Sequence, residues 1–361
     1  MEVGIIGLPY SGKSTLFSTL TGQAVPPTSG AGRVEVHRGV VQVPDPRLDA
    51  LSEIFKPRKK VPATIEFLDV GGVESEKGRG GFDAQFLQIL KNTDALCLVL
   101  RDFDNEYFPH PAGRIDPRAD FQLVETEFLL SDLAIVENRL ARLEKQLMKA
   151  RDEQGQRELA LLKRCAAQLE QEKPLRELSF TEEEEKQLKG FQFLTAKPLV
   201  VVINIDETKI QDAGRIEAAF ADLAAQPGVV VVALCAKIEQ EISQLEEAER
   251  KEFLQELGIE EPALPRMIRA TYQLLGLISF FTVGEDECRA WTIRKGTPAQ
   301  KAAGAIHSDL ERGFIRAEVV HYDQFIKFKS LAACREKGLL RLEGKDYIVQ
   351  DGDIITVRFN V

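Results

Sequence analysis

Over the first 115 residues, short continuous apolar runs alternate with segments of helical spacing. Val3–Ile6 reads as a strand, followed by a glycine-rich turn and a helix from Lys13. Val40–Val43 and Thr64–Leu68 read as further strands, and Ala95–Leu100 as a buried one. The pattern resumes at Leu199–Ile203 and Val229–Leu234, whose β-branched runs suit parallel strands covered on both faces. An α/β domain on a mostly parallel sheet is therefore expected over residues 1–120 and 196–277.

Between these halves the periodicity changes. Leu129, Leu133, Val136, Leu140, Leu143 and Leu147 follow the 4-3 spacing of a coiled-coil seam, and Leu159, Leu162, Ala166 and Leu169 repeat it. With a turn at Gly155, this predicts an antiparallel helical hairpin inserted over residues 121–195. Pro174 ends the hairpin, and Thr181 before Glu182–Glu185 reads as an N-cap with an acidic first turn.

A third unit is expected over residues 278–361. Ser279–Val283 and Arg289–Ile293 read as strands, and Thr297-Pro298 with Gln300 as the cap of a helix stopping near Gly313. Asp351-Gly352 turns between Tyr347–Val349 and Ile354–Phe359, completing a β-grasp pattern. Within it, Lys327 and Lys329 with Phe325 and Phe328 interleaved read as the outer and inner faces of one strand, with an RNA-facing stripe as the alternative.

A length of 361 residues fits two or three domains, and 44% hydrophobic content suffices for more than one core. The longest apolar run, Val229–Ala236, is far short of the roughly 20 residues of a membrane helix. The N-terminus has no basic region before its apolar residues, so neither a signal peptide nor membrane association is expected, and a cytoplasmic location is. Five cysteines without a CxxC pair read as reduced thiols rather than a zinc site or a disulfide framework. The net charge of −10 argues against generic nucleic-acid coating, and sequence-specific DNA binding is not expected. Residues 278–361 carry 13 Lys and Arg against 12 Asp and Glu, so any RNA contact needs a local basic face.

The chemistry concentrates in four short motifs. Gly7-Leu8-Pro9-Tyr10-Ser11-Gly12-Lys13-Ser14 fits G-x-x-x-x-G-K-S/T between a strand and a helix, with Thr15 following. Its backbone N–H groups cradle phosphates, Lys13 reaches the β- and γ-phosphates, and Ser14 ligates Mg²⁺. Asp69-Val70-Gly71-Gly72 ends a strand and matches D-x-x-G, with Asp69 a second Mg²⁺ residue and the Gly72 N–H sensing the γ-phosphate. Lys13 and Gly72 are thus the candidate catalytic residues. Val73 follows, where a water-orienting glutamine would stand, so hydrolysis must be slow or use another group.

Asn204-Ile205-Asp206-Glu207 closes a strand where N-K-x-D reads guanine. Glu207 stands in the aspartate register and Ile205 replaces the base-stacking lysine, which favours ATP. Asp206, one position away, leaves GTP possible. Cys235-Ala236-Lys237 follows the next strand like the S-A-K loop that supports the base.

In this order the four motifs resemble the YchF/Obg-like ATPase family of translation-factor-related P-loop proteins. The resemblance covers essentially the whole chain, including the N-x-x-E variant, Pro44–Asp49 and the helical hairpin. Arg289–Gly296, His307, Arg312–Val320 and Arg341–Asp353 look like that family's TGS domain. It implies ATP binding with Mg²⁺, slow hydrolysis, and association with the ribosome or another translation component, for which the helical arm and TGS-like domain are the expected contact surfaces. The alternatives are a nucleotide-stabilised interaction protein with negligible turnover, or a GTPase. Three departures mark a divergent member. Tyr10 replaces the asparagine of G-L-P-N-x-G-K-S-T, and Arg33 stands where a Mg²⁺-ligating threonine is expected, with Thr28 and Ser29 nearby. Glu74–Gly81 is shorter than the family's second switch.

Overall fold

The computed structural model describes residues 1–25, 35–70, 82–149 and 152–360. The chain forms two compact units: Met1–Gly39 with Glu66–Leu264, and Val40–Ile65 with Pro265–Val361. In chain order the elements begin β1 (Glu2–Ile6), α1 (Lys13–Thr21), β2 (Val36–Gln42), α2 (Pro46–Phe55), β3 (Lys59–Val61) and β4 (Thr64–Val70). There follow α3 (Ala84–Lys91), β5 (Ala95–Asp102), α4 (Pro117–Leu147), α5 (Glu153–Glu170), α6 (Glu182–Leu188) and β6 (Leu199–Ile205). Next come α7 (Ala213–Ala219), α8 (Ala221–Ala224), β7 (Val229–Leu234), α9 (Ala236–Gln244), α10 (Glu247–Glu256) and α11 (Ala263–Leu274). The C-terminal part runs β8 (Leu277–Thr282), β9 (Glu287–Arg294), α12 (Ala299–Ile306), α13 (Ser308–Arg312) and β10 (Phe314–His321). It closes with α14 (Tyr322–Phe328), α15 (Leu331–Glu336), β11 (Arg341–Glu343) and β12 (Asp353–Phe359).

The first unit is built on a sheet of order β2-β4-β1-β5-β6-β7. The pairs β1/β4, β1/β5, β5/β6 and β6/β7 are all parallel, so their C-terminal ends emerge on one edge. Every residue of β6 is buried, the signature of a strand covered on both faces. Ile6, Leu98, Val201 and Ile203 join Phe86, Phe128 and Ile238 in its core.

From this unit α4 and α5 project as the expected antiparallel pair. Leu129, Val136 and Leu143 pack with Leu162, Cys165, Ala166 and Leu169, flanked by Leu133, Leu140, Leu147 and Leu159. The root of the arm is fastened by Asp132, wholly buried, which accepts bonds from Leu194 N (3.0 Å), Thr195 N (2.8 Å) and Thr195 Oγ1 (2.7 Å). Thr181 caps α6 in a capping box with Glu184, as its sequence predicts. Gly155 does not make the turn. Asp152 caps α5 through Gln154 N, so the helix starts earlier, and Gly155 lies where a Cβ would crowd Leu147 and Asp152.

The second unit holds a sheet of order β11-β10-β12-β8-β9-β3. Its first and last long strands, β8 and β12, are parallel neighbours, while β8/β9 and β10/β12 are antiparallel. With α12 packed on Ile278, Phe280, Ile293, Val319 and Ile355, this is the β-grasp arrangement. Four local expectations fail. The Thr297 hydroxyl bonds Arg294 O in the preceding turn, so Pro298 occupies the N-cap position, and His307 turns extended to split one expected helix into α12 and α13. Tyr347–Val349 contributes one bridge, Pro298 with Ile348, rather than a strand. Phe325–Phe328 lies in α14, where Phe325 is buried and stacked on Phe55, and Lys329 caps it; the five residues 325–329 are too few to separate a period of 2 from one of 3.6.

Candidate nucleotide site

The parallel edge of the first sheet gathers the chemistry. The segment 7–12 follows β1, Asp69 lies near the end of β4, Phe103 follows β5, Asn204–Glu207 spans the end of β6, and Cys235–Lys237 follows β7. Open parallel sheets bind ligands at this edge.

The glycines of the first loop are there for space. Gly7 has φ +152°, and a Cβ there would strike Val99 O; Gly12 has φ +93°, and a Cβ would strike the Asn204 amide. Asn204 is what approaches so closely. Its Nδ2 donates to Ser11 O at 2.9 Å, and its Oδ1 accepts Ala236 N at 3.0 Å. Both polar ends of this buried side chain therefore clip the phosphate loop to the start of α9, and its role in this structure is to brace the cleft. Tyr10 adopts φ 64°, the left-handed region that asparagine enters readily and tyrosine does not. Its ring stacks on Phe108 with centroids 5.3 Å apart, which offsets part of that strain.

Half-buried Lys13 donates its Nζ to Gly7 O (3.0 Å) and Leu8 O (2.8 Å). Burial pushes its pKa down to about 8, with Asp69 opposing the shift. Ser14 Oγ donates to Asp69 Oδ2 at 3.0 Å. Burial raises the Asp69 pKa above the usual carboxylate value, against the Ser14 bond and the charge of Lys13. The other carboxylate oxygen, Oδ1, is buried without a hydrogen-bond partner. A serine hydroxyl beside an orphaned carboxylate oxygen suits a hydrated Mg²⁺ whose remaining ligands are water and phosphate. Among the described residues no cluster of three His, Cys, Asp or Glu side chains offers a rival metal site.

A cleft of about 470 Å³ opens beside this loop. Tyr10, Gly12, Thr15, Asn204, Ile205, Glu207, Cys235, Ala236 and Lys237, all expected from sequence, line it. At its far end the Glu207 carboxylate pairs with Lys237 Nζ at 2.7 Å. Asp206 turns instead to cap the following 3-10 turn, its Oδ1 accepting Thr208 N (2.9 Å) and Thr208 Oγ1 (2.7 Å). Ser11 is buried in the loop, and its Oγ has no partner. Gly72, with Gly71, Val73, Thr28, Ser29, Arg33 and 74–81, lies outside the described residues.

One wall was not anticipated: Phe103, Asp104, Asn105 and Phe108, from the segment after β5. Arg101 holds it in place. This side chain is 1% exposed; its Nε donates to Phe103 O (3.0 Å), one terminal nitrogen to Phe108 O (2.8 Å), and its guanidinium lies 4.7 Å from the Phe103 ring centroid. The same segment continues to His110, whose Nδ1 accepts Ala112 N (3.1 Å), leaving Nε2–H to donate to Asp120 Oδ2 (2.8 Å) in the first turn of α4. The available signal was positional: residues following an expected parallel strand face the same edge as the P-loop.

A glycine cradle between strand and helix, a half-buried lysine within it and a strand-end carboxylate beside its serine define a P-loop nucleotide-binding protein. Comparison with known proteins narrows the class. Residues 2–138 match the family model described as a 50S ribosome-binding GTPase, and residues 277–360 match the YchF GTPase C-terminal model, described as a protein of unknown function (DUF933). The chain is 45% identical to the ribosome-binding ATPase YchF of Haemophilus ducreyi, covering 100% of this chain and 99% of that protein. It is 42% identical to the Bacillus subtilis protein of the same name, covering 100% of both. The solved structure of the Schizosaccharomyces pombe YchF GTPase superposes with a TM-score of 0.87 at 30% identity, covering 99% of this chain and 97% of that one. The chain belongs to the YchF family.

Proposed function

We propose that this protein is a Mg²⁺-dependent P-loop ATPase of low turnover that works as a ribosome-associated switch in the cytoplasm. The observation that carries the nucleotide assignment is the state of the two carboxylates at the far end of the cleft. Guanine recognition asks a carboxylate to accept N1–H and the 2-amino group together. Here Glu207 is paired with Lys237, and Asp206 caps its own turn. Adenine carries neither donor, so this arrangement supports ATP. The names of relatives agree in part: the bacterial proteins are called ribosome-binding ATPases, the yeast structure a GTPase.

Ser14 and Asp69 would hold Mg²⁺, which when bound neutralises charge on the phosphate oxygens. Lys13 adds a cation at the phosphates, and the loop N–H groups, with Gly72 beyond them, orient and stabilise the γ-phosphate. The base side falls to Tyr10, Thr15, Ile205, Glu207 and Cys235–Lys237, with Asn204 holding the two sides in register. Val73 cannot orient water through a hydrogen bond, which supports slow hydrolysis. The helical arm and the β-grasp (TGS-like) domain are the surfaces offered to the ribosome. The described residues include no helix long and apolar enough to cross a membrane.

Calorimetric titration is expected to give ATP affinity at least tenfold above GTP; the reverse order would overturn the base assignment. Hydrolysis should rise when ribosomes are added and disappear in Lys13→Ala. No ribosome-dependent turnover in the intact protein would favour the interaction-protein alternative.

A further inference from the structure

β2 carries a histidine beside the end of β4 that holds Asp69. The two strands are neighbours in the sheet, and Val43 N, just past β2, donates to Ala63 O, just before β4, at 2.8 Å. Farther along, Arg38 reaches Glu66 at 3.6 Å, so numbers fall on β2 as they rise on β4 and the pair is antiparallel. Six residues from each end of the Val43–Ala63 bond lie His37 and Asp69, which therefore stand opposite one another with side chains on one face. Gly39 identifies that face. An added Cβ there would strike Thr21 and Phe17 of α1, the helix that begins with Lys13 and Ser14. With a strand period of two, His37 faces the same side.

His37 is half-buried as a residue, yet its Nε2 is buried and has no hydrogen-bond partner among the described residues. The same holds for Asp69 Oδ1, while Asp69 Oδ2 accepts from Ser14 Oγ at 3.0 Å. Burial raises the Asp69 pKa, and the Ser14 bond and the charges of Lys13 and His37 oppose it, so the imidazole lies within electrostatic reach of the carboxylate. Buried polar atoms without protein partners are normally met by water or an ion. Here two of them share one face beside Ser14.

We propose that His37 helps to hold Mg²⁺ through water, its Nε2 and Asp69 Oδ1 together accepting hydrogen bonds from the hydration shell of the ion. Mg²⁺ takes oxygen ligands and keeps several waters, so the imidazole meets a water rather than the ion. A neutral ring with its proton on Nδ1 supplies this acceptor without setting a second cation beside Lys13. His37 is thus a positioning residue that acts through metal-bound water. The inference rests on the Mg²⁺ reading of Ser14 and Asp69 and adds to it a residue that no motif marks.

The test is calorimetric titration of the full-length protein with ATP, once in excess Mg²⁺ and once in EDTA; the ratio of the two affinities measures what the metal contributes. His37→Ala and His37→Phe are expected to lower that ratio at least about tenfold while leaving metal-free ATP binding unchanged. His37→Gln, whose amide oxygen can accept from the same water, should keep most of it. Arg38→Ala, an exposed cation on the other face of β2, should match the intact protein. His37→Phe keeps a ring of similar size on β2, so the comparison survives if His37→Ala does not fold. An unchanged ratio in His37→Phe overturns the inference and leaves the Mg²⁺ reading standing. An equal loss with and without metal, or a loss in His37→Gln as large as in His37→Phe, also overturns it and reduces His37 to packing. If the intact protein binds ATP equally well in Mg²⁺ and in EDTA, the Mg²⁺ reading falls and the inference with it.

Discussion

Replacing Asn204 with alanine removes both halves of the clip between the phosphate loop and α9. The bonds lost are Nδ2 to Ser11 O (2.9 Å) and Ala236 N to Oδ1 (3.0 Å), made by a side chain only 5% exposed. Each was worth about 1 kcal/mol net, and each leaves a buried backbone group unsatisfied, so about 2–4 kcal/mol of stability should go. For a unit of this size that corresponds to a fall in melting temperature of roughly 5–15 °C. If a third to a half of the loss is loop pre-organisation, ATP affinity falls about 3- to 30-fold, since about 1.4 kcal/mol is one decade. Thermal melts with and without Mg·ATP, alongside calorimetric titration, measure both. Asn204→Asp sharpens the test: it keeps the acceptor for Ala236 N but sets a carboxylate oxygen against Ser11 O. It should be at least as damaging at pH 7. The introduced carboxyl's folded pKa would lie above its unfolded value near ~3.9, so the deficit should shrink as pH falls and a protonated oxygen can donate again. Wild-type melting and ATP affinity in Asn204→Ala would refute the reasoning.

Three further outcomes follow from the same geometry. The Lys13 pKa of about 8 lies below the ordinary lysine value of 10.5, so the unfolded chain binds more protons between these values and stability contributed by this group rises with pH there. Phosphate binding needs the ammonium, so ATP affinity should be flat below about pH 8 and fall by up to tenfold per unit above it; Lys13→Arg should flatten that profile. Asp132→Ala strips the acceptor from three buried donors at the arm root and should cost about 3–5 kcal/mol in urea unfolding. Arg101→Met releases the aromatic wall from Phe103 O and Phe108 O, so ATP should bind about tenfold more weakly while inorganic tripolyphosphate binds as before. An equal loss for both ligands would reduce Arg101 to a general structural role.

What the chain discloses in advance tracks how local each signal is. The phosphate loop is contiguous, and its two space-limited glycines can be read directly. Asp69 and Glu207 are legible because a buried strand announces where its C-terminal end must fall. The role of Asn204 is not, because its partners Ser11 and Ala236 are 193 and 32 residues away. The Phe103–Phe108 wall carries no motif; Arg101 creates it through two backbone carbonyls, a tertiary event without a periodic trace. The arm's seam was plain from ten apolar positions at 4-3 spacing, whereas α12, α13 and α14 are too short for periodicity to outvote a local cap.

The segment that walls the cleft also enters the arm. Phe108 stacks on Tyr10 of the phosphate loop, and two residues later His110 grips Asp120 in the first turn of α4. From that pivot the helix runs 31 residues without a break, about 46 Å. The wall of the cleft and the first turn of the arm are thus consecutive parts of one segment, so a residue that shapes the cleft also fixes where the long helix begins.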